Sequence, residues 1–121
     1  MKTAKAVLLM AALMSCSNES DDDAGAAAEC DFTISLIDYK LVPAQITAEA
    51  GNVVLCAKND GKAPHDLGVR DESDKVVGRT RVLEPGEQDQ FSIDLDAGGF
   101  DIFCSVAGHE SLGMKGTLTV E

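Results

Sequence analysis

An all-β fold, a Greek-key β-sandwich, is what this sequence predicts, on three observations. Apolar and polar residues alternate over short stretches, and turn clusters separate those stretches at even spacing. No window of useful length carries a helical period, apart from a short turn expected near residues 72–80. Roughly 90 residues are organised this way, which suits a sandwich of many short strands.

The elements follow in order. Phe32, Ile34 and Leu36 alternate from Asp31 onward. The stretch "VPAQITAEAGNVVLCAKNDG" (42–61) reads as hairpin-like: Val53, Leu55 and Ala57 share a face, and Gly51-Asn52 and Asn59-Asp60-Gly61 punctuate it. In "LEPGEQDQFSIDLDAGGFDIFC" (83–104), Glu84-Pro85-Gly86 makes a turn and Phe91, Ile93 and Leu95 alternate. Ala97-Gly98-Gly99 turns again, after which Phe100, Ile102 and Cys104 share one face. Met114, Leu118 and Val120 close the chain in step, and there is no internal repeat.

With 121 residues, 45% of them apolar, the chain has room for one small domain with an ordinary core. Its formal charge is −11, and the only strongly basic local segment is the extreme N-terminus with Lys2 and Lys5. Nucleic-acid binding calls for a basic stripe, which is missing, so no nucleic-acid partner is expected. The acidic clusters Asp71-Glu72-Asp74 and Glu84-Glu87-Asp89 flank turns and read as solvated surface. A nucleophile–base pattern and a phosphate-binding loop are both lacking.

"MKTAKAVLLMAALMSC" has a cationic start and an apolar run from Ala6 to Met14, too short to span a bilayer and suited to a secretory signal. Its ending "LMSC" resembles the lipobox of bacterial lipoproteins, which makes residues 1–15 a signal peptide and Cys16 the lipidated first residue. Residues 16–30 then form a flexible acidic tether, because "SNESDDDAGAAAE" has no large apolar residue to bury. Thirteen such residues reach about 20 Å. The folded domain is expected over residues 31–121, exported and lipid-anchored to a bacterial membrane, facing the periplasm or cell exterior.

Chemistry concentrates in "FCSVAGHESLGMKG" (103–116), where Cys104, His109 and Met114 are spaced C-x4-H-x4-M. Removing the signal takes Met1, Met10 and Met14, which leaves Met114 as the only methionine. His65, in "APHDLGV", is the only other histidine. Two imidazoles, one thiolate and a weak thioether are the donor set of a blue-copper site. Zinc accepts Cys and His, but a thioether is a poor zinc ligand.

Residues 31–121 resemble a cupredoxin, the type 1 blue copper family that includes plastocyanin, azurin, auracyanin and rusticyanin. The resemblance is carried by "DYKLVP", "PHD", "LEPGE" and "GFDIFCSVAGHESLGMKGTLTV". The gaps in C-x4-H-x4-M are more like those of auracyanin and rusticyanin than of plastocyanin. It implies that His65, Cys104 and His109 form the trigonal plane around one copper ion, with Met114 as the long axial ligand. Pro64 stands where azurin has a glycine, so four ligands are expected rather than five. Asp66 occupies a position where the family often has Asn, and it is expected to fix the Cys104 loop through Ser105.

The function implied is single-electron transfer between redox partners, such as a c-type cytochrome, by a monomer. His109 is the expected electron exit, with Ala107, Gly108, Leu112 and Gly113 letting a partner approach. An enzymatic copper centre needs further histidines, and both are used, so no enzyme is expected. The alternative is a copper-handling lipoprotein that delivers or stores the metal. With Cys16 on lipid and Cys104 on copper, Cys30 and Cys56 remain as a disulfide pair in an oxidising compartment.

Overall fold

The structure, a computed structural model, describes residues 29–121; the signal, Cys16 and most of the tether segment lie outside the described residues. Nine strands run in order: β1 (Phe32–Ile37), β2 (Lys40–Val42), β3 (Gln45–Ala48), β4 (Gly51–Asn59), β5 (Gly68–Arg70), β6 (Val76–Arg79), β7 (Gln88–Leu95), β8 (Gly98–Phe103) and β9 (Lys115–Val120). A 3-10 turn at Glu110–Leu112 is the only helical element among the described residues. The strands form two sheets, ordered β2-β1-β4-β7 and β3-β9-β8-β5-β6. The all-β sandwich expected from the strand rhythm is the fold observed.

Its core lies between the sheets. Ile34 and Leu36 of β1, Leu55 and Ala57 of β4, Val69 of β5, Ile102 of β8 and Leu118 of β9 are all at most 1% exposed. Each large aliphatic side chain buried in this way contributes roughly 1.5–3 kcal/mol. The residues that alternate with them face outward. On the outer side of β4, Cys56 is joined to Cys30 by a disulfide, with a Cα–Cα distance of 5.7 Å. Cys56 is out of phase with Val53, Leu55 and Ala57, which puts its sulfur on the face away from the core.

Two readings of the sequence are corrected. Residues 42–61 are not a hairpin: β4 lies beside β1 in parallel and beside β7 in antiparallel, while β3 joins β9 in the other sheet. Pro43 has no N–H to continue the ladder with β1, so the chain leaves that sheet there. It is received by β9, where Thr117 N–H donates to Ala44 O at 2.8 Å. Gly116 makes this approach possible, because a Cβ there would lie 2.0 Å from Ala44 O.

The turn near residues 72–80 is likewise not helical. Asp71 Oδ1 accepts the N–H groups of Ser73 and Lys75, at 2.9 and 3.0 Å, and the Ser73 hydroxyl at 2.7 Å. Aspartate offers the backbone a turn that competes with helix, and β6 follows it directly.

Candidate metal centre

His65 is held from several sides. At the end of β4, Asn59 is 1% exposed and acts as a bolt. Its Nδ2 donates to Ala63 O at 2.8 Å and to Leu83 O at 2.9 Å, while its Oδ1 accepts Gly61 N–H at 2.8 Å. His65 and Leu83 exchange both backbone hydrogen bonds, at 3.0 and 2.7 Å, so the histidine backbone is fixed as firmly as a strand residue. The ring is fully buried. Its Nε2 lies 2.6 Å from Oδ1 of Asp38, in the turn between β1 and β2, and its Nδ1 faces Cys104 and His109. Hydrogen bonds from His65 and then from the Lys62 backbone hold the Asp38 carboxyl below the usual carboxylate range.

The other donors come from the loop joining β8 to β9. Cys104 N–H donates to Met114 O at 3.1 Å and Met114 N–H to His109 O at 3.2 Å, which ties the ends and middle of the loop together. Gly108 and Gly113 supply φ of +84° and +121°, which L side chains rarely adopt, so the loop can turn twice within ten residues. Asp66, 2% exposed, accepts Ser105 N–H at 2.6 Å and also bonds the Ser105 hydroxyl. Cys104 is 1% exposed. Burial pushes its thiol above the ordinary value; backbone N–H groups of Asp66 and Val106 oppose this, and the Asp66 charge adds to it.

Arg70 of β5 anchors the far side of that loop. Its guanidinium lies 4.3 Å from the ring centre of Phe103 and grips both Glu110 oxygens, with Nη1 to Oε1 at 3.1 Å. Asp101 Oδ2 receives its Nε at 3.4 Å. The residue after His109 is thereby pinned to β5, with Glu110 held below the usual carboxylate range by the arginine.

His65, Cys104 and His109 therefore converge. The two Nδ1 atoms are 3.1 Å apart, and Cys104 Sγ lies 4.0 Å from His65 Nδ1 and 3.7 Å from His109 Nδ1. A first-row metal at ~2.0 Å from nitrogen and ~2.3 Å from sulfur, in a trigonal plane, places N···N at about 3.5 Å and N···S at about 3.7 Å. The triangle fits one such ion. Met114 is fully buried where the loop re-enters the sandwich. His109 is half-buried, with the Tyr39 ring 4.9 Å away, while Ala107, Gly108, Leu112 and Gly113 are exposed around it. Cys30 and Cys56 lie apart from this cluster, on the disulfide.

Asp38, Asn59 and Arg70 escaped the sequence reading. Asp38 opens "DYKLVP" and Asn59 stands in "NDG", yet neither stretch shows alone what its side chain will meet.

The sequence profile of the cupredoxin-like domain family matches residues 5–120, and the chain belongs to that family. No curated protein matches it. Among solved structures it is similar to dithionite-reduced auracyanin from the photosynthetic bacterium Roseiflexus castenholzii. That match has 18% identity over 78% of this chain and 99% of that one, with a TM-score of 0.70. It is also similar to auracyanin A, a blue copper protein from Chloroflexus aurantiacus (16%, 74% and 96%, TM-score 0.65). A purple cupredoxin from Nitrosopumilus maritimus is a further likeness (20%, 75% and 100%, TM-score 0.56). At such identities the likeness is one of fold. The family's cofactor is one type 1 copper ion, and the donor set found here fits it.

Proposed function

We propose that this protein is a membrane-tethered type 1 copper protein that carries single electrons between redox partners outside the cytoplasm. The observation that carries the reading is the triangle of His65 Nδ1, Cys104 Sγ and His109 Nδ1, two corners of it buried and the third half-buried. These three residues would hold the metal, with the buried Met114 thioether as the fourth donor. Copper supplies one-electron exchange between Cu(II) and Cu(I) when bound. The chain's part is to keep the donors from moving: Asn59 and Leu83 fix His65, Asp66 and Ser105 fix the start of the loop, and the Cys104–Met114 backbone bond closes it.

His109 is the electron exit, because it alone of the two imidazoles is partly exposed. The partner is a redox protein such as a c-type cytochrome, docking over Ala107, Gly108 and Leu112. The chain is no enzyme in this reading, since both histidines are engaged at one site. Export and anchoring through Cys16 are supported by "MKTAKAVLLMAALMSC" and fit with a Cys30–Cys56 disulfide. Delivery or storage of copper is the weaker alternative, because His65, Cys104 and Met114 are all shielded from an exchange partner.

The test is to add Cu(II) to the domain and record visible and EPR spectra. An intense thiolate-to-copper band is expected, and Cys104→Ser should abolish it. A colourless protein that retains zinc overturns the reading. Reduction by a donor protein without loss of copper supports the carrier, and rapid transfer of copper to an apo-partner supports delivery.

A further inference from the structure

We propose that Asp38 is a positioning residue for the metal centre, fixing His65 as its Nε2–H tautomer and lowering the copper reduction potential. The inference rests on the copper reading above.

The contact is built rather than incidental. Asp38 Oδ1 approaches His65 Nε2 to 2.6 Å across 27 residues of sequence. The carboxylate is itself oriented by the N–H groups of Lys62, at 3.1 and 3.0 Å, and of Ala63, at 3.3 Å. Gly61 leaves the space in which the pair meets. A Cβ there would lie 2.2 Å from Asp38 Oδ1 and 2.9 Å from His65 Nε2, so any side chain displaces the carboxylate.

The chemistry follows from which nitrogen is engaged. A carboxylate accepts and does not donate, so the proton sits on Nε2 and the lone pair is left on Nδ1. Nδ1 is the nitrogen that faces Cys104 and His109. A carboxylate behind a ligating imidazole fixes its orientation and makes it a stronger donor. Its negative charge favours the more highly charged oxidation state, so Cu(II) gains more than Cu(I). Among the described residues His109 has no carboxylate on its ring, so this tuning acts through one ligand only.

Asp38→Asn is the primary variant, because its amide keeps the shape and one acceptor while removing the charge. Gly61→Ala is the second, since it leaves Asp38 in place and pushes the carboxylate off the ring. Cu(II) and Cu(I) affinities, measured by competition with chelators, and the midpoint potential are the readouts for both. Cu(II) affinity is expected to fall about tenfold or more in each, in the range found for partners of metal-ligating histidines. Cu(I) affinity should change less, and a tenfold loss confined to Cu(II) raises the potential by about 59 mV. Unchanged affinity and potential overturn the proposal, as does an equal loss from both oxidation states with the potential unmoved.

Nitrogen-15 NMR of the metal-free wild type supplies an independent arm. His65 is expected to carry its proton on Nε2, and a proton on Nδ1 overturns the proposal. Failure of the wild type to take up copper overturns the proposed function instead, and the tautomer still tests Asp38.

Discussion

The two histidines meet with their Nδ1 atoms 3.1 Å apart, yet the segments that bring them there are built on different terms. The His65 side is a wall. A strand-like bridge to Leu83, the Asn59 side chain and Asp38 hold a residue that solvent does not reach. The His109 side is a lid of short turns, tied internally through Val106, Glu110 and Met114 backbone bonds and externally through Arg70. The difference teaches a division of labour: one histidine is placed by the sandwich itself, the other by a loop that leaves it partly exposed. Stability should therefore reside in the wall, and adjustability in the lid.

The hardest way to break that contrast is to remove the bolt in the wall. Asn59→Ala leaves the carbonyl of Ala63 and the N–H of Gly61 without their partner in a part-buried place, and takes from Leu83 O one of its two donors, the other being His65 N–H. We expect a loss of about 2–4 kcal/mol in urea unfolding with an unchanged m-value. A change below about 0.5 kcal/mol, as at ordinary surface sites, would mean the wall does not depend on it.

A second test uses the buried sulfur that both sides share. Burial holds the Cys104 thiol above its ordinary value, so the metal-free site is protonated at neutral pH and gives up a proton on binding. Apparent Cu(II) affinity should thus rise with pH, about tenfold per unit (1.4 kcal/mol) through neutrality, and level off only once the thiol ionises. Chelator competition across that range reads the slope. A flat profile would show the thiolate already present in the empty pocket.

The smallest effect is expected at the lid. Arg70→Ala removes the stacking on Phe103 and the grip on Glu110, at about 1 kcal/mol of global stability. Its larger signature should be faster amide exchange confined to residues 105–113. Equal acceleration in β4 and β7 would argue that wall and lid open as one unit.

How much of this was legible beforehand follows the range of each contact. Cys104, His109 and Met114 could be read together because one loop carries them, and strand parity pointed the cysteine inward. His65 was found by exhaustion, as the only other histidine. The Asp66–Ser105 contact, which the structure also forms, was reached through resemblance rather than through any local rule. Asp38 could not be found that way. Its contact needs the β1–β2 turn and the loop after β4 to arrive side by side, which depends on β1 and β4 lying parallel. Reading residues 42–61 as hairpin-like hides that pairing, because alternation reports which face a residue takes and not which strand lies beside it. Asp71, likewise, turned the chain with hydrogen bonds that no periodicity records.

One feature of the cysteine arrangement gives the molecule a stopwatch of its own. With Cys30 and Cys56 joined, Cys104 is the one free thiol among the described residues, and it is almost sealed from water. A small alkylating reagent can therefore score a single event in the metal-free domain, the moment the pocket gapes wide enough to show its sulfur. When gaping and reclosing outrun the reagent, the labelling rate divided by that of an unhindered thiol is the fraction of time spent open. The wall and the lid could then be timed against each other, with no dye attached and no residue replaced.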